Sequence, residues 1–134
     1  MLLAEIEATN FRNLSGKIVC GPKLNIIYGN NGQGKTNWLE AIYLLARTKS
    51  FRTQRLQEAI RFGEPIAVVR GKVTSGTDSE RSGGLERDLQ VSLHDNSKTI
   101  FVNTKREPLT RYLTQLQVFS FTASDLEVVR GTPD

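Results

Sequence analysis

Residues 29–36, Gly29-Asn30-Asn31-Gly32-Gln33-Gly34-Lys35-Thr36, fit the pattern G-x-x-x-x-G-K-[ST] of a phosphate-binding P-loop. Its flanks constrain the fold as much as the pattern does. Residues 23–28 predict a buried strand and residues 36–46 a helix, so the loop joins a strand to a helix N-terminus. In that arrangement several backbone N–H groups converge on one point, and the helix dipole adds partial positive charge there. Glycines let the backbone wrap a polyanion that a Cβ would exclude. Lys35 is placed to reach the β- and γ-phosphates, and the Thr36 hydroxyl to ligate Mg²⁺. A chance match of two glycines, a lysine and a hydroxyl at these offsets is expected in roughly one chain in a few hundred of this length. The plain alternative is a Gly-rich turn capping an ordinary helix; the flanking strand and helix argue against it.

The chain has 134 residues, enough for one modest core, and 24% of them are charged. Its apolar runs are shorter than a membrane span, and Glu5 interrupts the N-terminal segment too early for a signal peptide, so a cytoplasmic protein is expected. Cys20 and His94 are each the only residue of their kind, which excludes an internal disulfide and a cysteine metal cluster. The net charge of +4 is compatible with nucleic acid without requiring it.

Alternation predicts strands at residues 2–10, 17–20, 66–74, 85–94 and 98–103. Short helices are expected at 56–62, ended by Gly63, and at 108–115, with a strand at 116–121 and a helical turn at 123–129. Residues 75–84 form a polar Gly/Ser-rich connection. The helix after the P-loop is apolar almost all round (Trp38, Leu39, Ala41, Ile42, Leu44, Leu45), with a narrow polar stripe through Asn37, Glu40 and Arg47. Such a helix is expected between a sheet and another layer, with Trp38 a packing residue. Antiparallel-looking strands around one P-loop helix do not make a repeating βαβ domain.

None of the apolar runs at 23–28, 66–69 and 116–121 ends in the acid that P-loop hydrolases carry at the end of a second strand. An Asn-Lys-x-Asp run for guanine is also lacking. No residue is therefore assigned a catalytic role. A nucleotide-binding module without hydrolysis, or the first part of a larger ATPase, remain as readings. A small P-loop kinase is the alternative from another class; its arginine-rich lid finds only Arg81 in the 75–84 connection.

Asn10-Phe11-Arg12-Asn13-Leu14, the P-loop with Asn37, Leu39-Glu40-Ala41-Ile42-Tyr43-Leu44-Leu45, Ser50-Phe51-Arg52 and residues 121–133 together resemble the start of the RecF family of DNA replication and repair proteins. The resemblance runs the length of the chain. It implies an α/β (α+β mixed) P-loop NTPase fold: lobe I of an ABC-ATPase head, a mixed sheet around the P-loop helix with an antiparallel β layer beside it. Residues 1–134 would be a single N-terminal ATP-binding lobe, ending before the signature and Walker B motifs. The family's role implies ATP and Mg²⁺ as cofactors, ATP-dependent head-to-tail dimers, and binding to DNA gaps and double-strand/single-strand junctions. It also implies partnership with RecR and RecO in placing recombinase on single strands, within SOS-linked repair. By the same resemblance Gly29, Asn30, Asn31, Gly32, Gln33, Gly34, Lys35, Thr36 and Asn37 hold the nucleotide, with Arg12 and Asn13 near it. A turn residue and its cap would look the same as Arg12 and Asn13. Asp125 matches a region where a polar side chain approaches the metal, but Ala123 and Ser124 depart from the family's Pro and Glu there. A helix N-terminal acid is the other reading of Asp125. Arg47, Lys49, Arg52 and Arg55 form a basic run that would meet DNA phosphate or solvent, with Arg52 alternatively facing the nucleotide. The fragment is expected to bind ATP weakly or not at all and not to turn it over.

Overall fold

The computed structural model describes residues 2–20, 35–75, 85–95 and 97–116. The expected strand at 23–28, the loop proper at 29–34, most of the 75–84 connection and the elements beyond 116 lie outside the described residues.

Six strands form one sheet in the order β2-β1-β3-β4-β5-β6, every neighbouring pair antiparallel. They are β1 (Leu2–Phe11), β2 (Leu14–Val19), β3 (Ala67–Ser75), β4 (Leu85–Leu93), β5 (Lys98–Val102) and β6 (Lys105–Arg106). This is the antiparallel layer anticipated beside the P-loop helix. β2 begins three residues earlier than its alternation suggested, because Leu14 is buried and pairs with Phe11 across a two-residue turn. β6 was not anticipated; two exposed residues carry no periodic signal.

One face of the sheet is apolar. Ile6, Ala8, Val69, Val73, Leu89, Val91 and Leu93 alternate inward and are buried. The other face alternates charge: Lys17 reaches Glu5 at 3.5 Å, and Arg70, Lys72 and Asp88 stand beside them. The helix α1 (Lys35–Arg47) crosses the apolar face with Ala41, Leu44, Leu45 and Ala46 buried. Gly71 of β3 lets it approach: a Cβ there would run into the Leu45 side chain and lie 3.2 Å from the Glu5 carbonyl oxygen.

The helix is not apolar-packed all round. Leu39 is half exposed, whereas Glu40, on the polar stripe, is completely buried. Trp38 packs against the core at partial burial, in keeping with a structural role. The expected helix at 56–62 is a single 3₁₀ turn (Leu56–Ala59), since Ile60 pairs with Phe11 and takes the chain back to extended form. The helix expected at 108–115 is the short α2 (Leu109–Tyr112). Its Tyr112 is buried and donates to the Leu45 carbonyl of α1 at 2.5 Å.

Candidate nucleotide site

The site is built where three segments distant in sequence meet the first two turns of α1. At the β1–β2 turn Asn10 and Arg12 both adopt left-handed backbone conformations, φ 55° and 51°. For residues with a Cβ that costs energy, and it persists only where surrounding bonds hold it. Here the Arg12 N–H donates to the Ala59 carbonyl (2.6 Å), the Arg61 N–H to the Asn10 carbonyl (2.8 Å), and Arg61 Nε to the Arg12 carbonyl (3.1 Å). The 3₁₀ segment thus clamps the turn and fixes where its side chains project.

From that turn Arg12 grips Glu40 with two nitrogens: Nε donates to Oε1, and Nη2 donates to Oε2 at 3.0 Å. The next residue, Asn13, accepts from Asn37 Nδ2 at 2.6 Å. From the other side the segment after α1 closes in. Ser50 Oγ donates to Glu40 Oε2 at 2.6 Å, while Arg52 Nη1 donates to Asn37 Oδ1 (2.6 Å) and Glu40 Oε1 (3.2 Å). Ser50 Oγ in turn accepts the backbone N–H groups of Arg52 (2.9 Å) and Thr53 (3.2 Å). Phe51 sets its ring edge-on to Tyr43 of α1 at 5.4 Å, which fastens the segment between Ser50 and Arg52.

One buried carboxylate therefore satisfies two guanidinium groups and a hydroxyl. The hydrogen bond to Glu40, followed by that group's charge, raises the Arg12 pKa further, against burial. The cluster carries two cations and one anion, a surplus of one positive charge beside the N-terminal turn of α1. That first turn contains no acidic residue, so nothing in it neutralises the helix dipole. Thr36 is exposed in this turn. Excess positive charge, a helix N-terminus and an exposed hydroxyl fit the phosphate chain of a nucleotide.

Of the residues expected to hold nucleotide, Arg12, Asn13 and Asn37 are brought together, and Arg52 joins them. Lys35 opens α1. Gly29, Asn30, Asn31, Gly32, Gln33, Gly34 and the metal candidate Asp125 lie outside the described residues. Of the two metal candidates only Thr36 is described, and its exposed hydroxyl would be the group to hold a magnesium ion there. Among the described residues no group of three His, Cys, Asp or Glu side chains is placed to hold a metal ion. Glu40 and Ser50 were not singled out as site residues. The sequence signal was slight: Glu40 lies one helical turn after Asn37 on the polar stripe of α1, with nothing local to mark its partners.

Residues 2–126 match the model of the RecF/RecN/SMC N terminal domain family. The chain belongs to this family. It is 42% identical to the DNA replication and repair protein RecF of Lactobacillus johnsonii, over 99% of this chain and 34% of that protein. It is 40% identical to RecF of a Geobacter species over its full length and 35% of the relative. The chain thus spans about a third of the length of these curated RecF relatives and corresponds to their N-terminal part. A solved structure of the recombination mediator protein RecF-ATPrS superposes with a TM-score of 0.82 at 34% identity, over 96% of this chain and 34% of that one. An SMC ATPase structure superposes at 0.80 with 18% identity, covering 98% of this chain and 92% of the other. The fold is therefore that of the RecF and SMC ATPase heads. No helix among the described residues is long and apolar enough to cross a membrane.

Proposed function

We propose that this chain is the N-terminal ATP-binding lobe of a RecF-like recombination and repair ATPase. ATP, with Mg²⁺ at Thr36, binds across residues 29–37, and Lys35 engages its terminal phosphates. The nucleotide brings two heads together, and the dimer holds DNA at gaps or junctions where recombinase is loaded with RecR and RecO. The observation that carries this reading is the Glu40 cluster. It gathers the Phe-Arg-Asn turn, the P-loop helix and the Ser-Phe-Arg segment, the motifs that carry the resemblance, into one positively charged corner at the helix N-terminus. An inert surface has no need to enclose a carboxylate for that purpose.

Calorimetric titration of the full-length protein with Mg·ATP tests it. Saturable binding that is lost in Lys35→Ala is expected, together with ATP-dependent dimerisation and retention of a gapped duplex. Absence of saturable binding, or equal binding by Lys35→Ala, refutes the assignment.

A further inference from the structure

The opposite end of α1 holds two cations for which the nucleotide site has no use. Thr48, just past the helix, is buried and left-handed at φ 58°, and its N–H still donates to the Leu44 carbonyl at 2.7 Å. Lys98, the first residue of β5, places Nζ against this corner and donates to the Thr48 carbonyl at 2.7 Å and its hydroxyl at 3.2 Å. An ammonium has three donors, so one remains. Lys49 is exposed beside it.

A cavity of about 410 Å³ opens here, lined by Lys49, Ser50, Thr53, Gln54, Leu56 and Lys98. No acid lines it. The nearby acid of the same segment, Glu58, is occupied by the Thr53 hydroxyl at 2.8 Å, and among the described residues neither lysine has a carboxylate within ion-pair distance. Burial first, and then the charge of Lys49, lower the Lys98 pKa below its ordinary value. Two ammonium groups are thus held near each other at some cost, which a bound anion would offset. The polar face of the sheet differs: its cavity mixes Glu5, Glu7 and Asp88 with Lys17, Arg70 and Lys72 and offers no surplus charge.

We propose that the Lys49–Lys98 pocket binds a backbone phosphate of a nucleic acid. It rests on the repair role proposed above and adds where the strand is held. The pocket is open, polar and cationic, and no aromatic lines it. It therefore suits a phosphate, which positions a strand, and not a base, which would be read. Thr36 at the start of α1 and Thr48 just past its end are roughly 18 Å apart at 1.5 Å per residue, so a phosphate at each end can bind at once. Ser50, which lines the pocket, also bonds Glu40.

The test is the affinity of the full-length protein for a labelled gapped duplex, by fluorescence anisotropy from about 50 to 200 mM salt, for wild type, Lys49→Ala, Lys49→Glu and Lys98→Gln. Lys49→Ala and Lys98→Gln are expected each to lower the slope of log affinity against log salt by about one, with weaker binding throughout. Lys49→Glu weakens it further, and Mg·ATP affinity, which also reports folding, stays at the wild-type value. Lys49 makes no hydrogen bond among the described residues, so its variants test the pocket without disturbing Thr48. Wild-type slope and affinity in Lys49→Glu overturn the pocket while leaving the repair role standing. Failure of the wild type to bind the duplex at any salt overturns both.

Discussion

Glu40 decides the local structure at the nucleotide corner. A carboxylate with no exposed surface is tolerated because Arg12 meets both its oxygens while Ser50 and Arg52 take the remaining lone pairs. Removing it would leave two guanidinium groups facing each other without a counter-charge. Fully buried pairs lose about 3–5 kcal/mol on such truncation. The Arg12 and Arg52 side chains keep 22% and 37% of their exposure, so water recovers part of that. Glu40→Ala is expected to destabilise the fold by about 2–3 kcal/mol in urea unfolding. Glu40→Gln, which keeps an acceptor but not the charge, should fall between it and wild type. A Glu40→Ala variant as stable as wild type would show that the arginines need no counter-ion. The burial of this residue is hidden in the sequence for a physical reason. Helical periodicity reports which side a residue faces, but the partner that makes burial affordable sits 28 residues earlier. No local window contains both.

Between elements, Tyr112 joins α2 to α1 by donating to the Leu45 carbonyl, and burial pushes its phenol well above the ordinary range. A raised folded-state value means the neutral phenol is favoured by folding, so its contribution is complete below the unfolded value of about 10 and declines as pH rises beyond it. Chemical denaturation should therefore show stability falling above about pH 10, with Tyr112→Phe showing a shallower fall. At neutral pH Tyr112→Phe should lose about 1–2 kcal/mol, from one hydrogen bond and a carbonyl left unpaired. An alkaline limb identical in Tyr112→Phe and wild type would assign it to other groups. This joint was not legible in the sequence, because α2 has only four residues and no amphipathic period. The strands were legible. In β1, β3 and β4 one face is buried and the other more exposed, so hydrophobic alternation and register say the same thing. The 3₁₀ turn at Leu56–Ala59 shows the limit: its composition favours a helix, but the pairing of Ile60 with Phe11 ends it after one turn.

At the scale of the molecule, the described residues assemble binding groups more completely than groups for bond breaking. Its carboxylate at the nucleotide corner, Glu40, is consumed by two arginines and a serine and has no lone pair to spare for a metal or a water. No group of three acids, imidazoles or thiols among the described residues is placed to hold a metal ion. Hydrolysis needs a second acid to hold the metal and a group to orient the attacking water. The chain spans a third of the RecF proteins it matches, and in the proposed assembly those groups come from the remainder of the head and from the facing subunit. The expected outcome is that the 134-residue chain, mixed with Mg·ATP, releases phosphate no faster than its Lys35→Ala variant, while the full-length protein does. Lys35→Ala is the right reference because it removes the phosphate contact and leaves the Glu40 cluster intact, so a contaminating ATPase contributes equally to both samples. Steady turnover by the short chain that disappears in Lys35→Ala would mean that one lobe holds a complete catalytic set. The acid would then have to lie outside the described residues, where Asp125 is the first candidate to replace.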